Sequence, residues 1–247
     1  MLPVIVIPTY NESENIERLV REILGLAGGV SLLIVDDNSP DGTGEIADRL
    51  ASEFPRVHAR HREGKLGLGT AYVYGFGEAL EMGAGCVFEM DADFSHDTRY
   101  IPQFLAAITD HDVVIGSRYV EGGGVENWGL LRELISRGGS AYAKLLTGIG
   151  VKDTTSGYRC YRREVLEKID FGRIGASGYA FQVEMAYVCT LHGFRVYELP
   201  IVFTDRRVGQ SKMSKAIIWE AVILVAGLRW KYRDLRGKPV RRAKRAP

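Results

Sequence analysis

Two carboxylates follow an apolar stretch near the middle of the chain. The run from Cys86 to Met90 has the composition of a buried strand, and Asp91 and Asp93 come next at spacing i and i+2. Alternate side chains of an extended chain share a face, so the two carboxylates can converge on one cation. Hard oxygen ligands with no paired His beside them favour Mg²⁺ or Mn²⁺ over zinc. A solvated turn after a buried strand is the competing interpretation, and Asp-x-Asp alone does not exclude it.

Apolar strands and amphipathic helices alternate on both sides of this pair. The predicted strands are residues 4–7, 32–35, 57–59, 86–90 and 113–115. This alternation predicts an α/β fold with a doubly wound, mainly parallel sheet. Ligands bind at the carboxyl ends of such strands, and Asp36, Asp37 and Arg118 also follow strands. We therefore expect these residues to line one crevice with Asp91 and Asp93.

Other local patterns complete the expected elements. Asn11 with Glu14 has capping-box spacing, which predicts the start of the first helix. A glycine-rich segment, Gly64 to Gly69, could be a dinucleotide-binding loop, but it does not follow a strand, and this interpretation is disfavoured. Later helices are predicted at 130–146 and 179–192, a polar loop at 153–159 before another helix, and a strand at 199–203.

Cationic side chains gather in two later segments. Arg132 and Ser136 are spaced i and i+4 and share a helix face. The loop that follows the strand at 199–203 places three cations, Arg206, Arg207 and Lys212, around a glycine and small polar residues, which suits a phosphate. A solvated basic loop is the alternative for that segment.

The overall composition is that of a globular protein and argues against a nucleic-acid partner. Of the 247 residues 46% are hydrophobic and 26% charged, and the formal net charge is +1. Three cysteines, Cys86, Cys160 and Cys189, lack metal or disulfide spacing, which suits a reducing cytosol. The N-terminus enters a strand without a charged leader, so we expect no signal peptide.

The C-terminal end is strongly basic. From Arg229 onward there are nine Lys or Arg residues and one acidic residue, Asp234. The preceding apolar segment, 215–230, contains Glu220 and is too short for the roughly 20 apolar residues of a spanning helix. We predict a catalytic domain at 1–212 and, at 213–247, an interfacial amphipathic helix with a basic tail that contacts anionic lipid. An ordinary C-terminal core helix is the alternative.

Several blocks, in this order, resemble the polyprenol-phosphate (dolichol-phosphate type) mannosyltransferases of the family 2 glycosyltransferases. The resemblance covers roughly residues 3 to 215, and the last two blocks narrow it to the polyprenol-phosphate branch. The blocks are Pro8-Thr9-Tyr10-Asn11-Glu12, Val35 to Thr43, Met90 to His96, Gly116 to Tyr119, Ser136-Arg137-Gly138, and Asp205-Arg206 with Ser211-Lys212.

The resemblance implies a nucleotide-sugar glycosyltransferase type A fold and assigns roles to residues. The donor GDP-mannose would be held by Pro8, Tyr10, Glu12, Val35, Asp37, Asp91, Ala92, Asp93, Arg206 and Lys212. The acceptor phosphate of a polyprenyl monophosphate would be received by Arg118, Arg132, Ser136 and Arg137. Asp91 and Asp93 would hold Mg²⁺ or Mn²⁺, and Ser95 stands where the family often has Gln, so its coordination would run through water.

The implied reaction is inverting transfer of mannose to the lipid phosphate, with Asp91, Asp93, Arg118, Arg206 and Lys212 as the catalytic set. Because a phosphate monoester is already anionic near neutral pH, we expect no general base. Glu184 is a candidate base in the wider family, but we favour a structural or sugar-binding role. The alternatives are a UDP-glucose:polyprenyl-phosphate glucosyltransferase and a non-catalytic nucleotide-sugar-binding subunit. We expect a peripheral protein at the cytoplasmic face of a membrane, a location that is compatible with a membrane-anchoring protein partner.

Overall fold

The computed structural model describes residues 1–26, 28–175, 178–204 and 215–236, with side chains except at 131, 179 and 215–221. The strands are β1 (Pro3–Thr9), β2 (Ser31–Asp36), β3 (Val57–His61), β4 (Cys86–Glu89), β5 (Val113–Ser117), β6 (Gly124–Glu126), β7 (Arg159–Arg162), β8 (Val196–Pro200) and β9 (Val202–Thr204). The helices are α1 (Ile16–Leu26), α2 (Thr43–Glu53), α3 (Leu68–Glu81), α4 (Ile101–Ala107), α5 (Leu130–Thr147), α6 (Arg163–Lys168), α7 (Gly178–Leu191) and α8 (Lys215–Lys231).

A seven-stranded sheet forms the centre of the molecule, in the order β3-β2-β1-β4-β7-β5-β8. β1 pairs in parallel with β2 and β4, and β5 pairs in parallel with β8. Only β7 runs antiparallel to its neighbours, β4 and β5. The predicted α/β class with a mainly parallel sheet is therefore confirmed.

The two faces of the sheet bury separate apolar layers. Val4 and Val6 of β1 belong to one core, whereas Ile5 and Ile7 belong to the other. This follows from the period of two in a strand, which sends successive side chains to opposite faces. On the first face α3 packs so closely on β1 that a Cβ at Gly75 would lie 2.4 Å from Val6.

Two local predictions were wrong, and one strand was missed. Asn11 does not cap α1, because its φ is 61° and the helix begins at Ile16. The predicted strand at 199–203 is divided, since β8 ends at Pro200 in the large sheet and β9 pairs with β6 in a separate two-stranded sheet. Strand β7 was not predicted at all. Its sequence, Arg-Cys-Tyr-Arg, has a charged residue at each end and so lacks the pattern of a buried strand, although its first three residues are buried.

The C-terminal helix α8 packs on α5 and α7. The hydroxyl of Tyr142 on α5 donates a 3.0 Å hydrogen bond to the carbonyl of Val222 on α8. Among the described residues, no helix combines the length and the apolar character needed to cross a membrane.

Candidate active site

The Asp91–Asp93 pair lies directly beyond the end of β4, at the carboxyl edge of the sheet. The hydroxyl of Tyr72, on α3, donates a 2.9 Å hydrogen bond to Asp91 Oδ1. The backbone N–H of Ser95 donates a 3.0 Å hydrogen bond to Asp93 Oδ1. Tyr72 and Asp93 are buried, whereas the Asp91 carboxylate is partly exposed. Thus one carboxylate is oriented by a helix and the other by its own loop.

His96 holds the backbone of this loop. Its Nδ1 accepts a 3.0 Å hydrogen bond from the N–H of Asp91, and its Nε2 lies 4.0 Å from Asp91 Oδ2. The buried ring stacks on Tyr158 with 4.8 Å between centroids. Phe94, between the two anchored ends, has a φ of 60°, which is unusual for a non-glycine residue. The hydrogen bonds around it compensate for this strained backbone.

The donor atoms at Asp91 and Asp93 fit a divalent cation that also binds phosphate. Among the described residues, no group of three or more His, Cys, Asp and Glu side chains gathers as a metal cage. Magnesium is commonly bound by one or two carboxylates together with substrate phosphates, and these two carboxylates supply that set. The hydroxyl-bearing Ser95 is buried beside them, which suits a ligand acting through water.

A buried ionic network lies beneath the pair. Glu89, the last residue of β4, is fully buried, and its Oε2 accepts a 2.8 Å hydrogen bond from Gln182. Burial raises the pKa of Glu89 to about 7, although nearby Arg159 opposes the shift. Arg159 is itself fully buried and donates to the carbonyls of Thr154, Ser156 and Gln182. The network therefore fixes the 154–156 loop against the sheet.

The residues expected to hold the nucleoside lie on two loops joined by hydrogen bonds. Pro8 lies in β1, Tyr10 and Glu12 follow it, and the N–H of Glu12 donates to Thr43 Oγ1 at 2.9 Å. Asp41 accepts from the N–H groups of Ser13 and Thr43, each at 3.1 Å. Burial pushes the pKa of Asp41 upward, but the hydrogen bond from the Thr43 hydroxyl, together with those from the two N–H groups, outweighs it and lowers the pKa to about 2.

Asp37 and Tyr10 each lie against a cation that the sequence did not single out. Arg62 Nη1 is 3.1 Å from Asp37 Oδ1, and both side chains are buried. Burial raises the pKa of Asp37, and Arg62 opposes that shift. The ammonium of Lys65 lies 4.2 Å from the centroid of the Tyr10 ring. Val35, on β2, is fully buried in the core beneath them.

Arg118 follows β5 and is held by the 153–155 loop. Its Nε and Nη2 donate to the two carboxylate oxygens of Asp153, each at 2.7 Å, and Nη2 also donates to Thr155 Oγ1 at 2.8 Å. Arg118 and Asp153 are both buried. The side chain of Ser136, on α5, reaches the same loop, with its Oγ 3.5 Å from Thr155 Oγ1.

Phe203 lies between the loop of the carboxylate pair and two arginines, Arg118 and Arg132, which we call the arginine cluster. Its ring centroid lies 6.0 Å from that of His96, which holds Asp91. The guanidinium carbon of Arg118 lies 5.5 Å from the same Phe203 centroid. Trp128 packs edge-on against Phe203 at 5.4 Å, and Arg132 lies over the Trp128 ring at 4.3 Å. The loop of the carboxylate pair, through His96, and the arginine cluster therefore meet at one aromatic side chain.

Glu184 is fully buried on α7, and its contacts are with the end of α8. Its Oε1 accepts from Lys231 Nζ at 2.5 Å and from the hydroxyl of Tyr232 at 2.9 Å, while Oε2 accepts from the N–H of Gly175 at 3.2 Å. This geometry fits a structural role that ties α8 to α7.

The loop expected to bind the diphosphate, with Arg206 and Lys212, lies outside the described residues.

Other site residues were missed in the sequence because their roles depend on contacts that form only in the folded chain. Tyr72 appears in the sequence only as one apolar position of a helix, and Asp153 lies 35 residues from its partner Arg118. The polar character of the 153–159 segment was the one available signal for Asp153 and Thr155.

Known proteins share both this sequence pattern and this fold. The chain is 46% identical over 237 residues to the polyprenol monophosphomannose synthase of Mycolicibacterium smegmatis, covering 94% of this chain and 89% of that protein. It is 44% identical over 235 residues to the undecaprenyl-phosphate mannosyltransferase of Micrococcus luteus, covering 94% and 97%.

Solved structures with lower identity share the fold. Glucosyl-3-phosphoglycerate synthase from Mycobacterium tuberculosis, solved with Mn²⁺ and UDP, has a TM-score of 0.63 at 20% identity, covering 96% of this chain and 80% of that one. A Pyrobaculum calidifontis mannosyltransferase, solved with GDP-Man and Mn²⁺, has a TM-score of 0.56 at 16% identity, covering 95% and 72%. The family model Glycosyl transferase family 2 matches residues 4–170, which include β4 and the carboxylate pair, and the chain therefore belongs to the family 2 glycosyltransferases.

Proposed function

We propose that this glycosyltransferase moves mannose from GDP-mannose to a polyprenyl monophosphate, with inversion at the anomeric carbon. One observation carries the proposal: Phe203 lies against both His96, which holds the loop of the carboxylate pair, and Arg118, which belongs to the arginine cluster. The first set suits a metal-bound nucleotide sugar and the second a phosphate acceptor. The two relatives named as mannosyltransferases of polyprenyl phosphates support the same substrates.

The chemistry follows from the charges of the two substrates. A phosphate oxygen of the acceptor attacks the anomeric carbon, and the bond from that carbon to the GDP oxygen breaks, so GDP leaves with the bonding electron pair. The attacking oxygen is already anionic, so no side chain has to remove a proton from it. The contacts of Glu184 with Lys231 and Tyr232 agree with its not serving as a base.

The protein's task is therefore to bring two anions together. On the donor side Asp91 and Asp93, with Ser95 through water, would hold Mg²⁺ or Mn²⁺, and Arg206 and Lys212 would bind the diphosphate. A bound divalent cation neutralises charge that develops on the leaving diphosphate. The two structural neighbours that contain Mn²⁺ support a divalent cation in this fold.

On the acceptor side Arg118, Arg132, Ser136 and Arg137 would bind the lipid phosphate. Cations that are already in place around the reacting oxygen lower the electrostatic free energy needed to bring this oxygen close to a negatively charged donor. Arg118 keeps its orientation without substrate, because Asp153 and Thr155 hold it.

The decisive assay offers radiolabelled GDP-mannose and UDP-glucose separately with polyprenyl monophosphate and measures label extracted with the lipid. We expect transfer from GDP-mannose only, abolished by EDTA and restored by Mg²⁺ or Mn²⁺. Asp93→Ala is expected to abolish transfer, whereas Asp48→Ala, the same change at an exposed position of α2, is the matched control. Transfer from UDP-glucose, or undiminished transfer by Asp93→Ala, would overturn the proposal.

We also propose that the protein acts as a peripheral enzyme at the cytoplasmic face of a membrane, where the lipid acceptor resides. The exposed apolar residues of α5 and α8 and the basic C-terminal residues support this location. A membrane-anchoring protein partner is compatible with the same surface.

A further inference from the structure

Three arginines and two aromatic rings alternate in a row at the expected acceptor site. The guanidinium carbon of Arg137 lies 4.6 Å from the centroid of Tyr119, and that of Arg118 lies 5.2 Å from the same ring. Arg118 also lies 5.3 Å from the centroid of Trp128, and Arg132 lies 4.3 Å from it. We call this row, Arg137–Tyr119–Arg118–Trp128–Arg132, the arginine–aromatic ladder.

Each ring of the ladder contacts two cations. Like charges repel, so two guanidinium groups near one side chain would separate unless something held them. The negative face of an aromatic ring attracts a guanidinium, and the attraction is strongest for Trp. One indole can therefore keep two guanidinium groups at a fixed separation. Tyr119 does the same for Arg118 and Arg137.

The ladder brings three guanidinium groups together in one row. Asp153 pairs with Arg118, and Glu133 pairs with Arg137 at 2.8 Å. The Glu133–Arg137 pair is largely exposed and therefore weak. A dianionic phosphate monoester would complement such a row, because several of its oxygens can accept from more than one guanidinium.

We propose that Tyr119 and Trp128 are positioning residues that set the spacing of Arg118, Arg132 and Arg137 for a phosphate monoester. The inference rests on the proposed function and deepens it, because it makes part of the affinity of the arginines for the acceptor phosphate depend on two uncharged side chains. The rings act through the arginines and need not touch the phosphate themselves.

Two substitutions at Trp128 separate its ring face from its N–H. The indole Nε1 is buried, and within the described part of the chain it has no hydrogen-bond partner, so the N–H could itself bind the acceptor. Trp128→Phe keeps an aromatic face and removes the N–H, whereas Trp128→Leu removes both. If the face is what matters, the Phe variant retains most of the affinity for the acceptor and the Leu variant does not.

The test measures binding of a short-chain prenyl monophosphate by calorimetry, with the matching prenyl alcohol as a control for chain binding alone. We expect Trp128→Leu and Tyr119→Leu each to raise the Kd for the monophosphate about tenfold, as the loss of two cation–π contacts implies. Trp128→Phe should stay within about threefold of wild type. Phe54→Leu removes the ring under Arg21, 5.2 Å away on the α1–α2 side, and should leave the Kd unchanged.

Kinetics provide the second readout. The ladder variants should raise the KM for the lipid phosphate while the KM for GDP-mannose stays the same, which a general loss of folding would not produce. An unchanged Kd in both Leu variants, or a Trp128→Phe variant as weak as Trp128→Leu, overturns the inference. Should Trp128→Leu fail to fold, Tyr119→Leu decides by the same measurements. Wild-type binding without sugar transfer would reject the proposed function and leave the ladder standing.

Discussion

At the scale of single residues, Tyr72 is the least expected member of the site. It is fully buried on α3, and its hydroxyl donates to Asp91 Oδ1. Burial raises the pKa of Tyr72 well above its usual value, with Asp91 adding to the shift, so the hydroxyl remains a donor at any working pH. Its hydrogen bond therefore orients a carboxylate that is expected to bind metal.

Tyr72→Phe should weaken metal binding more than it weakens the fold. A hydrogen bond to a charged group contributes about 1.5–3 kcal/mol, so we expect the Mn²⁺ concentration for half-maximal activity to rise at least about tenfold. Titration of Mn²⁺ binding by electron paramagnetic resonance checks this independently of turnover. Tyr142→Phe, which removes a hydroxyl bonded to Val222 O between α5 and α8, is the matched control. Equal metal affinity in both variants would contradict the role of Tyr72.

Asp153 carries the largest predicted effect on stability. It is fully buried and binds Arg118 through both carboxylate oxygens. Removing one partner of a buried pair leaves the other charge uncompensated, which costs about 3–5 kcal/mol. Asp153→Asn keeps the shape and one acceptor oxygen, so we expect a loss of about 3 kcal/mol in the free energy of unfolding, measured by urea denaturation.

The control for this prediction is the same change in a more exposed pair. Asp112 binds Arg195, also through both oxygens, with side chains that are 24% and 43% exposed. Exposed ion pairs contribute about 1 kcal/mol or less, so Asp112→Asn should cost clearly less than Asp153→Asn. Equal losses would show that burial does not set the strength of the Arg118–Asp153 pair.

At the scale of elements, the loops after β1 and β2 behave as one unit. Asp41 joins them by accepting from Ser13 on one loop and from Thr43, the first residue of α2. The pKa of Asp41 falls from 3.8 to about 2 because hydrogen bonds favour its charged form. A carboxyl with a lowered pKa in the folded protein contributes stability above its unfolded pKa and loses it as pH falls through the folded one.

Asp41→Asn should therefore cost about 1 kcal/mol at pH 7, the typical contribution of such hydrogen bonds. Thermal unfolding of both proteins should show this difference above pH 4. The difference should shrink as pH falls from about 4 to 2, where wild-type Asp41 takes up its proton. A difference that stays constant over this interval would mean that the charge of Asp41 does not stabilise the loop pair.

Helices and strands with strong hydrophobic periodicity could be predicted from the sequence, whereas elements with short or mixed patterns could not. The stripe of Ile16, Leu19, Val20 and Ile23 marks α1, and all four are buried. β7 has four residues with arginines at both ends, and its Arg159 is fully buried only because carbonyls from three separate positions surround it. Two of these carbonyls belong to the adjacent 154–156 loop, but the third, of Gln182, is 23 residues away, and no local pattern encodes that partner.

The same limit applied to the site. The location of Asp91 and Asp93 could be predicted because they directly follow a strand. Alternate side chains of an extended chain share a face, and the carboxyl ends of the strands in such a sheet are where ligands bind. The ion pair between Asp153 and Arg118 depends on the register of β7 between β4 and β5, which could not be predicted from the sequence. The contact between Trp128 and Phe203 likewise depends on β9, which pairs with β6 after the chain leaves the large sheet at Pro200.

At the scale of the whole molecule, apolar surface is concentrated on two neighbouring helices. On α5, Leu130, Leu134 and Leu145 are 87%, 68% and 80% exposed. Leu134 and Leu145 are eleven residues apart, close to three full turns, so they lie on one face of the helix. On α8, Ile223 and Trp230 are 71% and 74% exposed and lie seven residues apart, about two turns. Basic residues flank both helices, and a membrane surface matches this combination.

Leu134→Glu and Leu145→Glu should each reduce sedimentation with liposomes that contain anionic lipid. Burying a leucine side chain contributes about 1.5–3 kcal/mol, so each change should weaken partitioning about tenfold or more. Because basic residues near anionic lipid add roughly 1 kcal/mol each at low ionic strength, added salt should weaken binding further. Leu26→Glu, an exposed leucine at the end of α1, is the matched control. If all three variants bind like wild type, the exposed leucines of α5 do not contact lipid, and membrane attachment must depend on other parts of the chain.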